Sequence, residues 1–387
     1  MKHTILIIGS GMASYMLAIQ IRMQDKDVNI AVVTECDGRY YPKPMLSSAL
    51  YHKKSLDDIV TSTAAQMAEK YALQIYTHEY VENIDNQQKA VETRSGKKIE
   101  YIKLVLATGS NPNKLNLPQG GGEYAYQVNT LEDYARFRKE IANNKRIAVI
   151  GSGLVGVEFT HDLLHAGYKV SVFSLEDLPL AGLVPGTIAD VLKKHLISLG
   201  VDWHTTPLDG IEKAQTGYVL KTPKKSYQID AVLASIGIHA NLDLVKKSNV
   251  NHEQAIEVNR YLSTNVKDIY ALGDCASLGA LHLTYVAPIK QQAKALAQTL
   301  LGEPTEVHYP AMPVVVKVPT LPFCLVPVRG KVTGTWEDQP GSGHKSFVSV
   351  FYDTKRIIRG FALAGEATSQ RNHWLSQMPD LLGSSNV

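Results

Sequence analysis

The sequence predicts an α/β fold in which one strand–glycine turn–helix–strand unit occurs twice and a smaller α+β segment follows. Three observations predict it. A charge-free apolar run, Thr4 to Ile21, is interrupted by Gly9, Ser10 and Gly11. The same grammar restarts at Arg146, about 140 residues on, a period too long for a solenoid. After Pro310 the chain turns to short β-branched and alternating runs.

Each element follows from its residues. Thr4 to Ile8 is continuous and β-branched, as a parallel strand buried on both faces must be. Met12 to Arg22 has helical character, and Val28 to Thr34 is the next strand, ending at Glu35. Tyr101 to Ala107 is a further strand, closed by Thr108-Gly109-Ser110 and the turn formers Asn111-Pro112. In the second copy Arg146 to Ile150 is the strand, Gly151-Ser152-Gly153 the turn and Leu154 to His165 the helix. Gly167 stops that helix, and Tyr168 to Phe173 is the strand after it. Asp230 to Ile236 closes on Gly237, and Asp268 to Leu272 on Gly273-Asp274. Gln119-Gly120-Gly121-Gly122 reads as a flexible approach to the second copy. Val314 to Val318, Phe347 to Tyr352 and Ile357 to Leu363 predict an antiparallel sheet. The expected division is 1–112 with 238–309, then 113–237, then 310–387.

Composition narrows the class. A chain of 387 residues with 44% hydrophobic and 20% charged residues has material for two or three packed domains. Lys+Arg 40 against Asp+Glu 37 leaves +3, with lysine pairs scattered, so no nucleic-acid partner is expected. Cys36, Cys275 and Cys324 have no near partners, which argues against a disulfide framework or zinc site and suits a reducing cytosol. Lys2 and the apolar start have the look of a signal or a span, but the glycine break splits that run into strand and helix. A cytoplasmic protein without membrane insertion is expected.

The glycines carry the chemistry. Gly9-Ser10-Gly11-Met12-Ala13-Ser14 has the form GxGxxS: Gly9 for the tight turn, Gly11 for close approach of a pyrophosphate, Ser14 small enough for helix–strand packing. The helix N-terminus then offers free N–H groups and the positive end of its dipole. Glu35, after the second strand, can take both hydroxyls of an adenosine ribose. Gly151-Ser152-Gly153-Leu154-Val155-Gly156 is a full GxGxxG. Its second strand ends at Ser174, with Glu176 and Asp177 just beyond, and no Lys or Arg between Val170 and Pro185 awaits a 2′-phosphate, so NADH is favoured over NADPH. Two cradles imply two dinucleotides and two Rossmann-like domains.

With these motifs the chain resembles, over essentially its whole length, the FAD-dependent pyridine-nucleotide reductases of the glutathione-reductase-like superfamily. Leu104 to Gly109 is similar to their Ala-Thr-Gly crossover, and Thr264 to Asp274 to their second FAD motif, whose aspartate holds the ribitol. The resemblance implies FAD in the first cradle and NADH in the second. Disulfide reductases of this superfamily have a cysteine pair after the first acid; here Glu35 to Ser48 holds Cys36 alone, and Tyr41-Pro42-Lys43-Pro44-Met45-Leu46-Ser47 stands there. That segment, with Ala311 to Pro319, most resembles the rubredoxin–NAD reductases. The cofactor contacts implied are Gly9, Ser10, Gly11, Met12, Ala13, Thr34, Glu35, Lys43, Pro44, Val81, Ala107, Thr108, Gly109, Gly151, Gly153, Leu154, Val155, Gly156, Glu158, Glu176, Gly237, Gly273, Asp274, Val286 and Lys317.

The same resemblance casts Lys43 and Glu158 as catalytic. Pro44 restrains Lys43 to extended geometry, and closure of the two domains would pair it with Glu158 beside the flavin N5, where an ammonium stabilises the charge of incoming hydride. Rubredoxin is the implied acceptor, in a chain that feeds an alkane hydroxylase. A ferredoxin-type acceptor, a quinone and a non-enzymatic redox sensor are the rival readings. Rubredoxins are usually acidic, so Lys53, Lys290, Lys317 and Arg329 are candidates for a steering rim. His161 and His165 at i, i+4 read as a solvated face rather than a metal site, and the stripe Trp374, Leu375, Met378, Leu381 and Leu382 as a packing contact rather than a membrane helix.

Overall fold

The structure, a computed structural model, describes residues 3–340 and 345–382. The first predicted unit forms as His3–Ile8, Met12–Gln24 and Ile30–Val33. His3–Ile8 pairs in parallel with Ile30–Val33 on one side and Lys98–Leu106 on the other. Leu73–Tyr76 and Ile269–Ala271 extend the parallel order. Val81–Asp85 and Ala90–Thr93 add an antiparallel hairpin to the base of Lys98–Leu106. Ile5, Leu6 and Ile7 are all buried, which is why this strand shows no alternation.

The second unit repeats the plan. Asp202–Thr205, Lys169–Ser174, Arg146–Ile150 and Ala231–Ala234 form a parallel sheet in that order, with Leu154–His165 following its first strand in sequence. The outgoing strand Ser110–Pro112 and the returning strand Ile238–Ala240 pair antiparallel, so the two passages between the sheets brace each other.

Gln119 to Gly122 is not a loose approach. Gln119 N–H donates to the Asp209 carbonyl at 2.7 Å, and Ile211 N–H to that of Gly120 at 3.2 Å. A Cβ on Gly121 would stand 1.8 Å from the Ile211 oxygen, and one on Gly122 1.7 Å from that of Leu115. These glycines serve close backbone approach rather than mobility.

The last segment is a five-stranded antiparallel sheet: Val314–Val316, Phe323–Val326, Ile358–Gly365, Ser346–Asp353, Gly334–Gln339. One apolar core joins all three sheet units. Leu46, Ala49 and Ile59, from the chain between the first sheet's strands, share it with Phe137 and Phe159 of the second unit and Val316 and Phe323 of the last. Trp374, Leu375 and Met378 pack on the last sheet, and Leu381 and Leu382 on the first unit's core. No helix of the described residues is long and apolar enough to cross a membrane.

His161 departs from expectation. It is 1% exposed, with its ring nitrogen Nε2 2.8 Å from the Thr320 hydroxyl. Thr320 also meets His195 Nε2 at 2.7 Å. His165 alone of the i, i+4 pair lies on the solvated face.

Candidate functional site

Gly9 has φ +107°, and a Cβ there would come 2.3 Å from the Ala107 oxygen. This glycine lets the first turn pass beside the Ala107-Thr108-Gly109 crossover. Gly11, the N-cap of Met12–Gln24, is different: a Cβ there would meet nothing within 4 Å, and no side chain caps the helix. Space and free N–H groups are what a phosphate needs. Gly153, N-cap of Leu154–His165, repeats both properties, and Val286–Leu301 also starts without a side-chain cap. By contrast Leu56–Ile59, Ala64–Tyr71 and Leu131–Ile141 each carry a complete capping box. The Pro185-capped helix Gly186–Ser198 is uncapped too, so the feature has meaning only together with the glycine turns.

Around the first cradle the predicted residues gather. Thr34 is buried, its hydroxyl 2.9 Å from that of Ser10, and Cys36 Sγ lies 3.2 Å from both. Glu35 follows with its side chain exposed. Val81 is buried at the start of its strand, opposite Thr93. Thr108 Oγ1 donates to the Asn241 carbonyl at 2.9 Å. Gly273 approaches the first helix so closely that a Cβ would stand 2.9 Å from Ala13 Cβ. Asp274 accepts from Ser110 Oγ at 2.9 Å. Cys275 is fully buried and burial pushes its thiol pKa up, which removes it from redox chemistry. The open cradle, the uncapped helix ends and the polar loop at Asp274 fit a dinucleotide such as FAD.

The second cradle fits another. Gly151 has φ +98°, and a Cβ on Gly156 would meet the Gly151 oxygen at 2.1 Å, so both are bound to the turn's own packing. Leu154 is half-buried and Val155 exposed at the helix start. Gly237, with φ +97°, turns the return crossover. Of the two acids after Ser174, Asp177 is taken by Lys193 at 2.7 Å and Thr205 Oγ1 at 3.0 Å. Glu176, exposed and with its N–H on Ser174 Oγ, keeps its carboxylate available for a ribose.

Between the cradles the expected Lys43–Glu158 pair is not what forms. Glu158 is buried and accepts from Ser47 Oγ at 2.6 Å, from the Lys317 N–H at 3.0 Å and from the Lys317 ammonium. A buried carboxylate needs several donors and a cation. Lys317, arriving just past the Val314–Val316 strand, supplies two donors at once, whereas the 3-10 turn Lys43–Ser47 presents Ser47 to it. Lys43 is half-buried and has no ion-pair partner among the described residues. Burial lowers its pKa, opposed by the charges of Asp274 and then Asp133. Lys317 is accordingly not part of an open basic rim. Sequence reasoning also passed over Ser110 and Asp162, although Asp162 stands one helical turn from Glu158, a spacing that puts both on one face.

Residues 3–298 match the family described as pyridine nucleotide-disulphide oxidoreductase, and residues 306–378 the rubredoxin binding C-terminal domain. The chain is similar to the rubredoxin-NAD(+) reductase of Acinetobacter baylyi, 37% identical over 98% of this chain and 99% of that protein. It is 32% identical to the rubredoxin-NAD(+) reductase of Alcanivorax borkumensis, over 98% of this chain and 100% of the other. Among solved structures, the ferredoxin reductase for the CYP199A2 system from Rhodopseudomonas palustris has a TM-score of 0.87 at 21% identity, over 97% of this chain and 96% of that one, and so shares the fold. The chain belongs to the pyridine nucleotide-disulphide oxidoreductases, in the group of the rubredoxin–NAD(+) reductases.

Proposed function

We propose that the protein is an NADH-dependent flavoprotein reductase that passes electrons through FAD to rubredoxin. One observation carries this: beside two glycine cradles with uncapped helix starts, the segment from Glu35 to Ser48 holds no cysteine pair but a lysine, Lys43, with no ion-pair partner among the described residues. Cys36, the one cysteine between Glu35 and Ser48, lies beside the Ser10 and Thr34 hydroxyls, so that segment offers no dithiol relay. Bound FAD supplies the conversion of a two-electron hydride donor into one-electron steps. The chain's own residues do the rest. Gly11 and Gly153 leave room for the phosphates, and Glu176 selects NADH by taking the ribose hydroxyls that a 2′-phosphate would block. Lys43 offers the free cation for charge that builds on a reduced ring. Glu158 acts as the anchor of Lys317 and Ser47.

The sheets support a division at 112, 237 and 309, with a discontinuous FAD domain. A cytoplasmic location and onward delivery to an alkane hydroxylase complete the reading on resemblance alone. The test is NADH oxidation by FAD-loaded protein with purified rubredoxin, a ferredoxin and a quinone offered separately. Rubredoxin should turn over fastest; preference for either of the others replaces the acceptor. A colourless protein unable to take up flavin overturns the whole reading.

A further inference from the structure

The Leu154–His165 helix carries Glu158, His161, Asp162 and His165 at i, i+3, i+4 and i+7, one continuous stripe. Asp162, 1% exposed, accepts the Tyr51 N–H at 2.7 Å and the Leu50 N–H at 3.3 Å. Both belong to the strip of chain that begins at Lys43. That strip is covalently part of the first unit, yet its Leu46, Ala49 and Ile59 are buried with Tyr134, Phe137 and Phe159 of the second. Glu158 grips the strip at Ser47, and Asp162 grips it three and four residues further on.

We propose that Asp162 is a positioning residue for flavin reduction: by holding the Leu50–Tyr51 backbone it sets where the Lys43 ammonium stands relative to the NADH-binding unit. The inference rests on the role given to Lys43 above. Burying a carboxylate merely to satisfy two backbone donors is a costly device for stability alone. Its effect here is to tie the strip that carries Lys43 to the helix that follows the second cradle. Orientation is at issue, and small misplacements of a reacting group's neighbour are felt in rate.

Asp162 faces Tyr51 on the strip, Arg138 and Tyr134 on Leu131–Ile141, Lys317 from the last unit, and Glu158, His161 and His165 on its own helix. Burial pushes its pKa up to about 6, against the pull of its backbone bonds and of Arg138 and Lys317. Protonation removes the charge and makes one of the two oxygens a hydroxyl, a poorer acceptor, so the hold on the two N–H groups is weakened on the acid side.

The test is anaerobic stopped-flow reduction of FAD-loaded protein by NADH, between about pH 5 and pH 8, in wild type, Asp162→Asn, Lys43→Met and the double variant. Asp162→Asn should lower the limiting rate about tenfold with NADH affinity and flavin content unchanged. The wild-type rate should fall below about pH 6, and this step should be missing in Asp162→Asn. On the Lys43→Met background Asp162→Asn should add nothing. A slow Lys43→Met beside an Asp162→Asn of wild-type rate overturns the inference alone, as do additive losses. A Lys43→Met of wild-type rate overturns the role of Lys43 and this inference with it. Where Asp162→Asn does not fold, the acid-side step decides: it must appear in wild type and vanish in Lys43→Met, and its persistence there overturns the proposal.

Discussion

Glu158 and Lys317 meet where the second and last sheets join, the carboxylate buried and the lysine giving it both its backbone N–H and its ammonium. The contact takes Lys317 out of the solvent-facing cations. Lys43, by contrast, has no ion-pair partner among the described residues and stands under the more distant charges of Asp274 and Asp133.

Removing the lysine's charge should therefore strand a buried carboxylate. Lys317→Met is expected to cost about 2 kcal/mol, less than for a fully buried pair because the lysine side chain is 26% exposed. Glu158→Gln combined with Lys317→Met should recover part of that loss, since the amide still accepts from Ser47. Urea unfolding of the flavin-free proteins reads both numbers, and equal stability of wild type and Lys317→Met would show the pair to be idle.

The two kinds of cradle glycine should fail in different ways. Gly11→Val leaves the fold intact, because a side chain there enters open space, but it should abolish flavin retention. Gly153→Val should keep the flavin and weaken NADH binding at least tenfold. Gly9→Ala should unfold the protein, since its Cβ would collide with the Ala107 oxygen at φ +107°. Flavin absorbance, NADH titration and a thermal melt of each variant separate these outcomes.

What was legible in the sequence was what short-range chemistry decides. Arg146–Ile150 and Leu154–His165 fall where the apolar run and the glycines put them. Val28 has a strand former's side chain, but its N–H is taken by Asp25 Oδ1 and its carbonyl by Arg22, so the strand starts at Ile30. What was hidden depends on chain distant in sequence. Glu158 had a plausible partner in Lys43 and found Lys317 instead. His161 looks solvated in the sequence because its cover, Thr320, comes from the turn joining Val314–Val316 to Phe323–Val326 of the last sheet. Gly121 and Gly122 looked flexible because the carbonyls they clear belong to Ile211 and Leu115. Each error assigned to solvent, or to a nearer residue, a place that another segment fills.

Docking of an acidic partner should depend on Arg329 and Lys290 rather than on Lys317. Lys290 is exposed on the helix that begins at Val286, and the Arg329 guanidinium lies 5.5 Å from the ring of Tyr285, that helix's N-cap. Electron transfer to rubredoxin should slow as salt rises, while ferricyanide reduction by NADH stays level. Arg329→Ala should flatten the salt dependence with little change in the ferricyanide rate. A response to salt that is equal in both assays would remove steering from the account.

The stripe on the Leu154–His165 helix should also show in stability against pH, with two opposed contributions. Burial, and then the charges of His165 and His195, lower the His161 pKa from 6.5 to about 4. Between those values the unfolded chain binds a proton that the fold refuses, so His161 makes stability fall as pH drops from about 6.5 to about 4. Burial raises the Asp162 pKa from 3.8 to about 6, so there the fold binds a proton that the unfolded chain releases. That contribution runs the other way and is lost as pH rises from about 4 to about 6. In wild type the neighbours mask each other. His161→Gln keeps a partner for Thr320 and removes one titration, so relative to wild type it should gain about 2 kcal/mol between pH 7 and about pH 4.5. Unfolding free energies of the two proteins at both pH values give that difference, because titrating groups that do not interact with His161 cancel. A difference independent of pH would mean that His161 takes up its proton at the same pH folded and unfolded, so that its burial against Thr320 does not hold the ring neutral.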